Sequence, residues 1–493
     1  MPAAATDEAP SAGIDVRLGR DPGLDERLRG RALREAGDVP GVALDADERT
    51  TVVAGSPSEP LWTRRRGDGE AHADRSALAL AELGEGEALR DRFRSGRFLA
   101  LLPVLELLRA AAGYRREEAP PGLAAFVLDD PNLHWPSYGH VRYDALASSA
   151  ARSNYHVAMA TIPLDGWLVH AGAARRFRGP GARLSLAIHG NDHVARELGR
   201  PRTAAQADRL LGQALVRVAR LERRAGLRVA RVMVPPHGAC SEQAMRGLAR
   251  HGFEGVAIGR PFPWFARSGD SPFAHPGPHR PLTGWHPADV VAGGAPVLMR
   301  QAFSESLDDL TLGAYLDRPA IVYGHHGDLA GGLDLLEATA AHVNSLREVR
   351  WCGLDELARG LFGLARDGDV ARVTAYARRL DVPLERGARE LALGWPKALE
   401  LPAQASCSVG GAPAARIRRD GHGVRFDLGE HPPGSVAEIR FAATPPVAAP
   451  GAAPALWPVV RRLLSEGRDR VEPVRRRPAA TAAGPPSQEA WAA

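Results

Sequence analysis

At 493 residues the chain is too long for one compact core, and its length predicts two to four domains. The 63 basic and 58 acidic residues nearly balance, which gives no indication of a nucleic-acid partner. Three widely spaced cysteines argue against a disulfide framework and against a cysteine zinc site. The N-terminus lacks the pattern of a secretory signal and no apolar run is long enough to span a membrane, so the sequence predicts a cytoplasmic protein.

The two ends of the chain are Ala/Pro-rich and aperiodic, which predicts mobile tails over residues 1–15 and 477–493. Residues 16–117 mix short candidate strands, such as TTVVAG, with helical stretches, and are predicted to form an N-terminal α/β region. The charged and then Pro-rich segment at residues 116–122 indicates a boundary after it.

Residues 118–363 have a different rhythm, in which short apolar runs alternate with helical stretches. The runs include AAFVLDD, YHVAMATIP, RLSLAIHG and ARVMVPP. Wholly apolar strands that alternate with helices are typical of a parallel sheet covered by helices. Seven or eight such units favour a distorted (β/α) barrel of about seven strands over an open doubly wound sheet, and no glycine-rich dinucleotide-binding sequence opens the first unit.

The region from residue 364 to residue 476 is predicted to be a small C-terminal region that is both helical and β-rich. Helical sequence continues to about residue 395, and a few candidate strands joined by glycine turns follow it. The segment LWPVVRRLLSEGRDRV then predicts a final amphipathic helix. Nothing in this region indicates a particular role.

Four of the predicted barrel strands end in reactive side chains. The first ends in Asp129 and Asp130, and the others run into HGNDH, PPHG and GHHGD. Because the carboxyl ends of barrel strands meet at one rim, we expect these groups to converge. Two adjacent buried carboxylates are unfavourable unless a cation compensates their charge, so a metal ion is the expected partner.

His189 and His193 are four residues apart, and a helical turn after the strand would place both imidazoles on one face. Together with one carboxylate they make a His-His-Asp site with open coordination positions, which is the arrangement of a catalytic metal. Zn²⁺ is the expected ion, and other divalent transition metals are alternatives. Each motif alone is compatible with an ordinary turn or surface loop, and their combination at four strand ends favours the metal site.

These residues resemble the polysaccharide deacetylase family over about residues 120–360. The resemblance lies in FVLDDP, LAIHGNDH, MVPPHG and IVYGHH, which occur in the order and spacing of the family's motifs. It implies a distorted barrel and a metal-dependent hydrolase that removes an N- or O-acetyl group from a carbohydrate-type substrate. The chain would be a divergent member.

Carried over residue by residue, the resemblance implies that Asp130, His189 and His193 bind the metal. Asp129 would be the general base that takes a proton from the water activated by the metal. His325 would protonate the departing amine or alcohol, and His326 is the alternative for that role.

The PPHG loop and three other residues are the candidate substrate contacts. Pro236, His237 and Gly238 correspond to a substrate-binding loop of the family, and the His237 N–H could share the charge of the oxyanion. His134 and Trp135 follow the two carboxylates and offer a surface on which a sugar ring could stack, although such residues also pack within loops. Asp165 closes the second strand at the same rim.

Two other classes of function compete with this prediction. The family places an arginine before its Pro-Pro pair, where this chain has Val234, so a non-catalytic carbohydrate- or partner-binding protein is the alternative. A metal-free glycosidase suits the residues poorly, because adjacent residues of a strand point to opposite faces. The leading prediction is a deacetylase or amidohydrolase of non-peptide carbon–nitrogen bonds, with a small-molecule or oligosaccharide substrate.

Overall fold

The structure is a computed structural model, which describes residues 13–35, 42–45, 47–66, 72–80, 82, 92–112, 122–194, 196–201, 203–259, 287–291, 295–384, 388–396, 404–414, 416–420, 423–441, 453 and 455–475. The tails predicted at residues 1–15 and 477–493 lie outside these ranges, apart from residues 13–15. Within the described ranges, no helix is both long enough and apolar enough to cross a membrane.

The chain begins with an antiparallel sheet and a helix. The elements are β1 (Ile14–Leu18), β2 (Ala32–Glu35), β3 (Thr50–Gly55), β4 (Pro60–Arg66), β5 (His72–Ser76) and α1 (Leu102–Ala112). The sheet order is β2-β1-β3-β4-β5. Its apolar core, which includes Trp62 and Phe98, also contains Leu312 and Tyr315 from the next part of the chain. The predicted N-terminal α/β region is confirmed, and it packs on a helix of the barrel.

The middle of the chain alternates strands with helices. In order, the elements are β6 (Gly122–Asp129), β7 (Ser137–Tyr138), β8 (Val141–Arg142), α2 (Tyr143–Arg152), β9 (Val157–Thr161), α3 (Ala171–Arg175), β10 (Leu184–Ile188), α4 (Ala204–Ala225), β11 (Val229–Met233), α5 (Glu242–Arg250), β12 (Gly255–Ile258), β13 (Asp289–Val291), β14 (Ala295–Met299), β15 (Gln301–Ala302), α6 (Leu307–Tyr315), β16 (Ala320–Gly324), α7 (Asp334–Asn344), β17 (Val349–Trp351) and α8 (Leu354–Arg359).

The parallel strands form a closed ring. The order runs β14-β12-β11-β10-β9-β6-β16-β15, and only Arg300 separates β14 from β15. Because β14 pairs with β12 while β15 pairs with β16, this one bent stretch closes the barrel. Counted as one strand, it gives the seven strands that the sequence predicts. Strand β13 is an antiparallel addition beside β14, and β17 pairs with the start of β6.

The alternation of side chains along β6 decides which of its groups point into the barrel. Ala125 and Val127 share an apolar cluster with other small barrel residues, whereas Phe126 and Leu128 belong to the cluster formed with the surrounding helices. Since successive residues point to opposite faces, Asp129 continues the inward series at the carboxyl end of the strand.

The C-terminal region contains two further sheets and a last helix. Its elements are β18 (Phe362–Asp367), β19 (Val370–Ala375), β20 (Arg379–Leu384), β21 (Glu390–Gly394), β22 (Ala405–Val409), β23 (Ala412–Pro413), β24 (Arg416–Asp420), β25 (Gly423–Asp427), β26 (Ser435–Phe441) and α9 (Leu456–Arg475). The sheet orders are β18-β19-β21-β25-β24 and β20-β26-β22-β23. Residues of both sheets share one apolar cluster with the inward residues of the barrel.

The prediction that helix continues to about residue 395 is wrong, because four strands occupy this stretch. Leu380, Val382 and Leu384 are buried while the residues between them are partly exposed, which is the period of a half-buried strand. The Ala, Arg and Leu content of the stretch favours a helix locally, but packing between the two sheets decides the outcome.

Candidate metal centre

The two carboxylates at the end of β6 stand where the chain leaves the strand. Asp130 has a φ of 76°, which is the left-handed conformation, and His193 and His237 have left-handed φ values of 55° each. These are three of the six non-glycine residues with positive φ in the described ranges. Backbone strain of this kind concentrates at functional sites, where the surrounding structure holds it in place.

Asp130, His189 and His193 converge on one point, as the sequence predicts. Asp130 Oδ1 lies 3.0 Å from His193 Nε2 and 3.3 Å from His189 Nε2. The three ligand atoms all lie within 4.8 Å of one another. Burial opposes ionisation of Asp130, but the neighbouring His193 and His189 hold its pKa well below the usual range.

The tautomer of His189 indicates which kind of ligand these side chains can bind. Its Nδ1 lies 2.8 Å from the carbonyl oxygen of Val234, which can only accept a hydrogen bond. In the neutral imidazole Nδ1 therefore carries the proton, and Nε2 turns its lone pair toward Asp130. Asp130 Oδ1 is itself buried with no hydrogen-bond partner among the described residues. With the imidazole neutral, two lone pairs would face each other and repel, and either a proton or a metal ion between them removes the repulsion.

The residues fit a divalent metal. Zinc lies about 2.0–2.2 Å from imidazole and carboxylate ligands, so ligand atoms around a tetrahedral ion stand about 3.3 Å apart. The separations of 3.0 and 3.3 Å agree with this value. The backbone hydrogen bond from His189 is the support that metal-binding histidines usually have. Three ligands of this type leave further coordination positions open.

The loop that carries the two histidines is not helical, so the predicted shared helix face is wrong, although both imidazoles still meet. Gly190 has a φ of 63°, and a Cβ there would lie 2.0 Å from Glu197 Oε1. Glu197 accepts hydrogen bonds from the backbone N–H groups of Asn191, Asp192 and His193 at 2.6, 3.0 and 3.1 Å. The carboxylate thus holds the loop in the shape that brings His193 beside His189.

Asp129 is held by an arginine from another strand. Arg300 Nη1 donates to Asp129 Oδ1 at 2.8 Å, and both side chains are buried. The guanidinium lies 4.1 Å from the centre of the Tyr323 ring, which fixes its plane. Burial alone would raise the pKa of Asp129, but Arg300, together with His189 and His325, outweighs it and lowers the pKa.

Arg300 therefore supplies the positive charge beside Asp129, whereas the residue before the Pro-Pro pair is the buried Val234. Arg231, the other arginine near the Pro-Pro pair, binds Glu222 at 2.8 Å instead. Sequence reasoning missed Arg300 because 171 residues separate it from Asp129. The alternation of side chains along APVLMR is the sequence pattern that could have indicated it. Leu298 faces the barrel interior, and Arg300, two residues later, faces the same way.

The two candidate acids have different surroundings. His325 is exposed at the rim and close enough to Asp129 to lower its pKa. His326 is buried, with its ring 5.3 Å from that of Tyr138 and 5.7 Å from that of His140. His325 therefore lies beside the carboxylates, whereas His326 packs among other rings.

The PPHG loop lies next to the metal ligands. Its Pro236–Gly238 portion is a single tight turn, and the ring of His237 lies 5.4 Å from that of His193. Burial, with His193 and His189 nearby, lowers the pKa of His237 to about 4. His237 is thus a neutral imidazole at neutral pH, on an exposed part of the rim.

The other three candidate substrate residues contact the last helix, α9. Asp165 is buried against Arg462, the exposed ring of Trp135 lies 4.7 Å from the guanidinium of Arg470, and His134 Nδ1 lies 3.0 Å from Glu466. His134 Nε2 also meets the carbonyl oxygen of Asp165 at 2.9 Å. No pattern in the sequence indicates that α9 reaches the rim.

The fold and the side chains together define a (β/α) barrel with a candidate metal centre at the carboxyl ends of its strands. No protein-family model matches the chain, and no curated protein matches it. The chain is nevertheless similar to solved structures over about half of its length.

Three of these structures illustrate the likeness. The proposed polysaccharide deacetylase of Mycobacterium smegmatis is 14% identical with a TM-score of 0.35, and the match covers 50% of this chain and 91% of that one. A family 4 carbohydrate esterase from Streptomyces lividans, in complex with acetate, is 12% identical with a TM-score of 0.28 over 47% and 93%. A family 4 acetyl xylan esterase from Clostridium thermocellum, in complex with a cobalt ion, is 13% identical with a TM-score of 0.27 over 48% and 89%. At identities and TM-scores this low, the likeness carries no argument about function.

Proposed function

We propose that this protein is a metal-dependent hydrolase that removes an acyl group, most simply an acetyl group, from a carbohydrate-type substrate. The observation that carries the proposal is the convergence of Asp130 with His189 and His193 around an unmatched carboxylate oxygen. An ionised second carboxylate, Asp129, lies beside them in the barrel interior. Metal ligands next to a buried base are the arrangement that hydrolysis by activated water requires.

A divalent ion held by the three ligands, most simply Zn²⁺, would polarise the acyl carbonyl and lower the pKa of water toward about 7. Asp129 would accept the proton of the attacking water. Arg300 keeps Asp129 ionised and fixes its direction, because its guanidinium is held by a hydrogen bond at one end and the Tyr323 ring beside it.

We assign the proton donor for the leaving amine or alcohol to His325. It is exposed at the rim and electrostatically coupled to Asp129, so substrate could reach it. His326 is enclosed by Tyr138 and His140, which suits a packing role. Pro236, His237 and Gly238 border the metal ligands and would contact the acyl group.

The test is metal content followed by turnover. The purified protein is expected to bind one divalent ion per chain at neutral pH, and a chelator should abolish release of acetate from acetylated amino sugars. The Asp129→Asn variant should keep its metal and lose turnover. The His325→Asn variant should lose about 100-fold or more in kcat, while His326→Asn, as the matched control, should lose far less.

The alternative hypothesis is a non-catalytic carbohydrate-binding protein, and this hypothesis predicts a different result. Such a protein would bind acetylated sugars without releasing acetate, and Asp129→Asn would leave that affinity nearly unchanged. A protein that binds no divalent ion would contradict the proposed hydrolase.

A further inference from the structure

Helix α9 lies across the rim that bears the candidate metal centre. Its contacts extend over nine residues, which in a helix corresponds to about 12 Å. They reach groups that follow the first, second and third barrel strands: the His193 carbonyl oxygen from Arg461, Asp165 from Arg462, His134 from Glu466 and Tyr138 from Asp469. The helix therefore covers one whole sector of the rim.

The contact between Arg462 and Asp165 is a buried ion pair. Nε and Nη2 of Arg462 meet the two carboxylate oxygens of Asp165 at 3.2 and 2.5 Å. The two side chains are 8% and 5% exposed. A fork-shaped pair of this kind fixes orientation as well as distance, and removing one partner leaves an uncompensated buried charge.

The helix faces the rim with its charged side and turns its apolar side outward. Its exposed large apolar residues are Leu456, Trp457, Val460, Leu463, Leu464 and Val471. A helix that merely completed an apolar core would bury this stripe. The docking of α9 is therefore specific to the polar groups of this rim, which include Asp165 and His134, two of the residues that the sequence marks as substrate contacts.

The candidate ligands of the centre are largely buried. The side chains of His189, His193 and Asp130 are 3%, 11% and 23% exposed. Among the described residues, His237 and His325 are exposed groups beside them. A polymer bound across the sector that α9 covers would collide with the helix, whereas a small molecule that approaches over His237 and His325 would not.

We infer that α9 restricts this site to small acylated molecules, of the size of one or two sugar units, and excludes chain-like polysaccharides. The inference rests on the proposed function and names its substrate class. Access is limited by a segment of the same chain, and the ion pair between Arg462 and Asp165 keeps that segment in place.

The experiment compares N-acetylglucosamine with its hexamer on the full-length, metal-loaded protein. The wild type is expected to deacetylate the monosaccharide and to use the hexamer at least tenfold less efficiently per acetyl group. Arg462→Asp should repel Asp165, loosen the helix and raise kcat/KM for the hexamer at least tenfold, with a smaller change for the monosaccharide. Leu464→Asp places the same charge on the outward side of the helix and should change neither ratio.

A binding measurement separates this inference from the proposed function. In the Asp129→Asn background, calorimetry should detect the monosaccharide but not the hexamer, and adding Arg462→Asp should allow the hexamer to bind. Hydrogen exchange should show faster exchange in α9 for Arg462→Asp. Glu466→Arg serves as the second variant if Arg462→Asp does not fold, and the same gain for the hexamer is expected.

The outcomes have distinct meanings. Equal use of hexamer and monosaccharide by the wild type, or hexamer binding while α9 stays protected from exchange, overturns the inference and leaves the hydrolase intact. Binding of the monosaccharide without any turnover by the metal-loaded protein counts against the hydrolase alone. If neither sugar binds in either background, both fail.

Discussion

The two ends of the barrel differ in whether their buried carboxylates are paired with charged partners. At the amino ends of the strands, the buried Glu254 meets Arg359 at 3.1 Å and Arg379 at 2.9 Å, so two guanidinium groups match one carboxylate. At the carboxyl ends, Asp130 Oδ1 is buried and makes no well-aligned hydrogen bond to a described residue, and the imidazoles of His189 and His193 beside it carry a charge only when protonated. A matched buried charge holds a structure together, whereas an unmatched one is retained when something outside the chain compensates it.

Replacing the unmatched carboxylate should therefore affect function far more than folding. Asp130→Asn is expected to lose the metal and to reduce turnover by at least about 1000-fold, since one of three ligands and its charge are gone. In the presence of a chelator, the free energy of unfolding should fall only modestly, because the imidazoles of His189 and His193, which lower the pKa of Asp130, lose their charged partner. Metal analysis and denaturant unfolding measure both effects, and retention of one ion per chain would contradict the assignment of Asp130.

Replacing the matched carboxylate should do the reverse. Glu254→Gln leaves the buried Arg359 without its main partner and is expected to lower the free energy of unfolding by about 3–5 kcal/mol. Metal content should not change. Glu438, whose pair with Arg440 is exposed, is the control, and Glu438→Gln should change the free energy of unfolding by less than about 1 kcal/mol. A loss of metal in Glu254→Gln would break the contrast between the two ends.

The Arg300→Lys variant tests whether a matched charge at the carboxyl ends of the strands contributes to turnover. A lysine keeps the charge but not the planar donor group that lies by the Tyr323 ring and binds Asp129. We expect kcat to fall about 10- to 100-fold, with KM and metal content nearly unchanged. Arg231→Lys is the matched control, because Arg231 binds Glu222 and should leave kcat unaltered. Equal losses in the two variants would indicate a purely structural role for Arg300.

The smallest expected effect is a change in the free energy of unfolding with pH. The residue responsible, His156, lies at the amino ends of the barrel strands. Burial, with a smaller contribution from Arg183, lowers the pKa of His156 to about 4, and its Nε2 meets Ser185 Oγ at 2.8 Å. In the unfolded chain the pKa of histidine is about 6.5, so between pH 7 and pH 5 only the unfolded state gains a proton. The free energy of unfolding should fall by about 2 kcal/mol over this range.

The control for this effect is His156→Gln, which can keep a hydrogen bond to Ser185 but cannot titrate. Unfolding in denaturant at several pH values should show that the loss on acidification is smaller in the variant by about 2 kcal/mol. Identical pH profiles for the two proteins would rule out His156 as the titrating group.

The barrel and the convergence of Asp130 with His189 and His193 could be predicted because their signals are local. Asp129 and Asp130 follow an apolar run, His189 and His193 follow another, and the parallel-strand rule brings both ends together. The helical turn expected between the histidines does not form. Gly190 and the hydrogen bonds that Glu197 accepts from the loop backbone bring the two imidazoles together instead.

The support around the ligands could not be predicted in the same way. Arg300 meets Asp129 across 171 residues of sequence, and the contact depends on the position at which one strand changes partners. The amphipathic pattern of α9 indicates a helix that buries its apolar side, and the opposite side is the one that docks. Residues 364–395 have a helix-forming composition that sheet packing overrides.

The single residue between β14 and β15 has a consequence for how this protein can change over evolution. Arg300 occupies the seam at which the ring of strands closes, so one position serves both architecture and chemistry. A variant that alters the circumference or tilt of the barrel shifts the guanidinium away from Asp129 at the same time. A change in the peripheral helix α9 leaves this seam untouched, whereas a change in the ring of strands cannot spare the arginine.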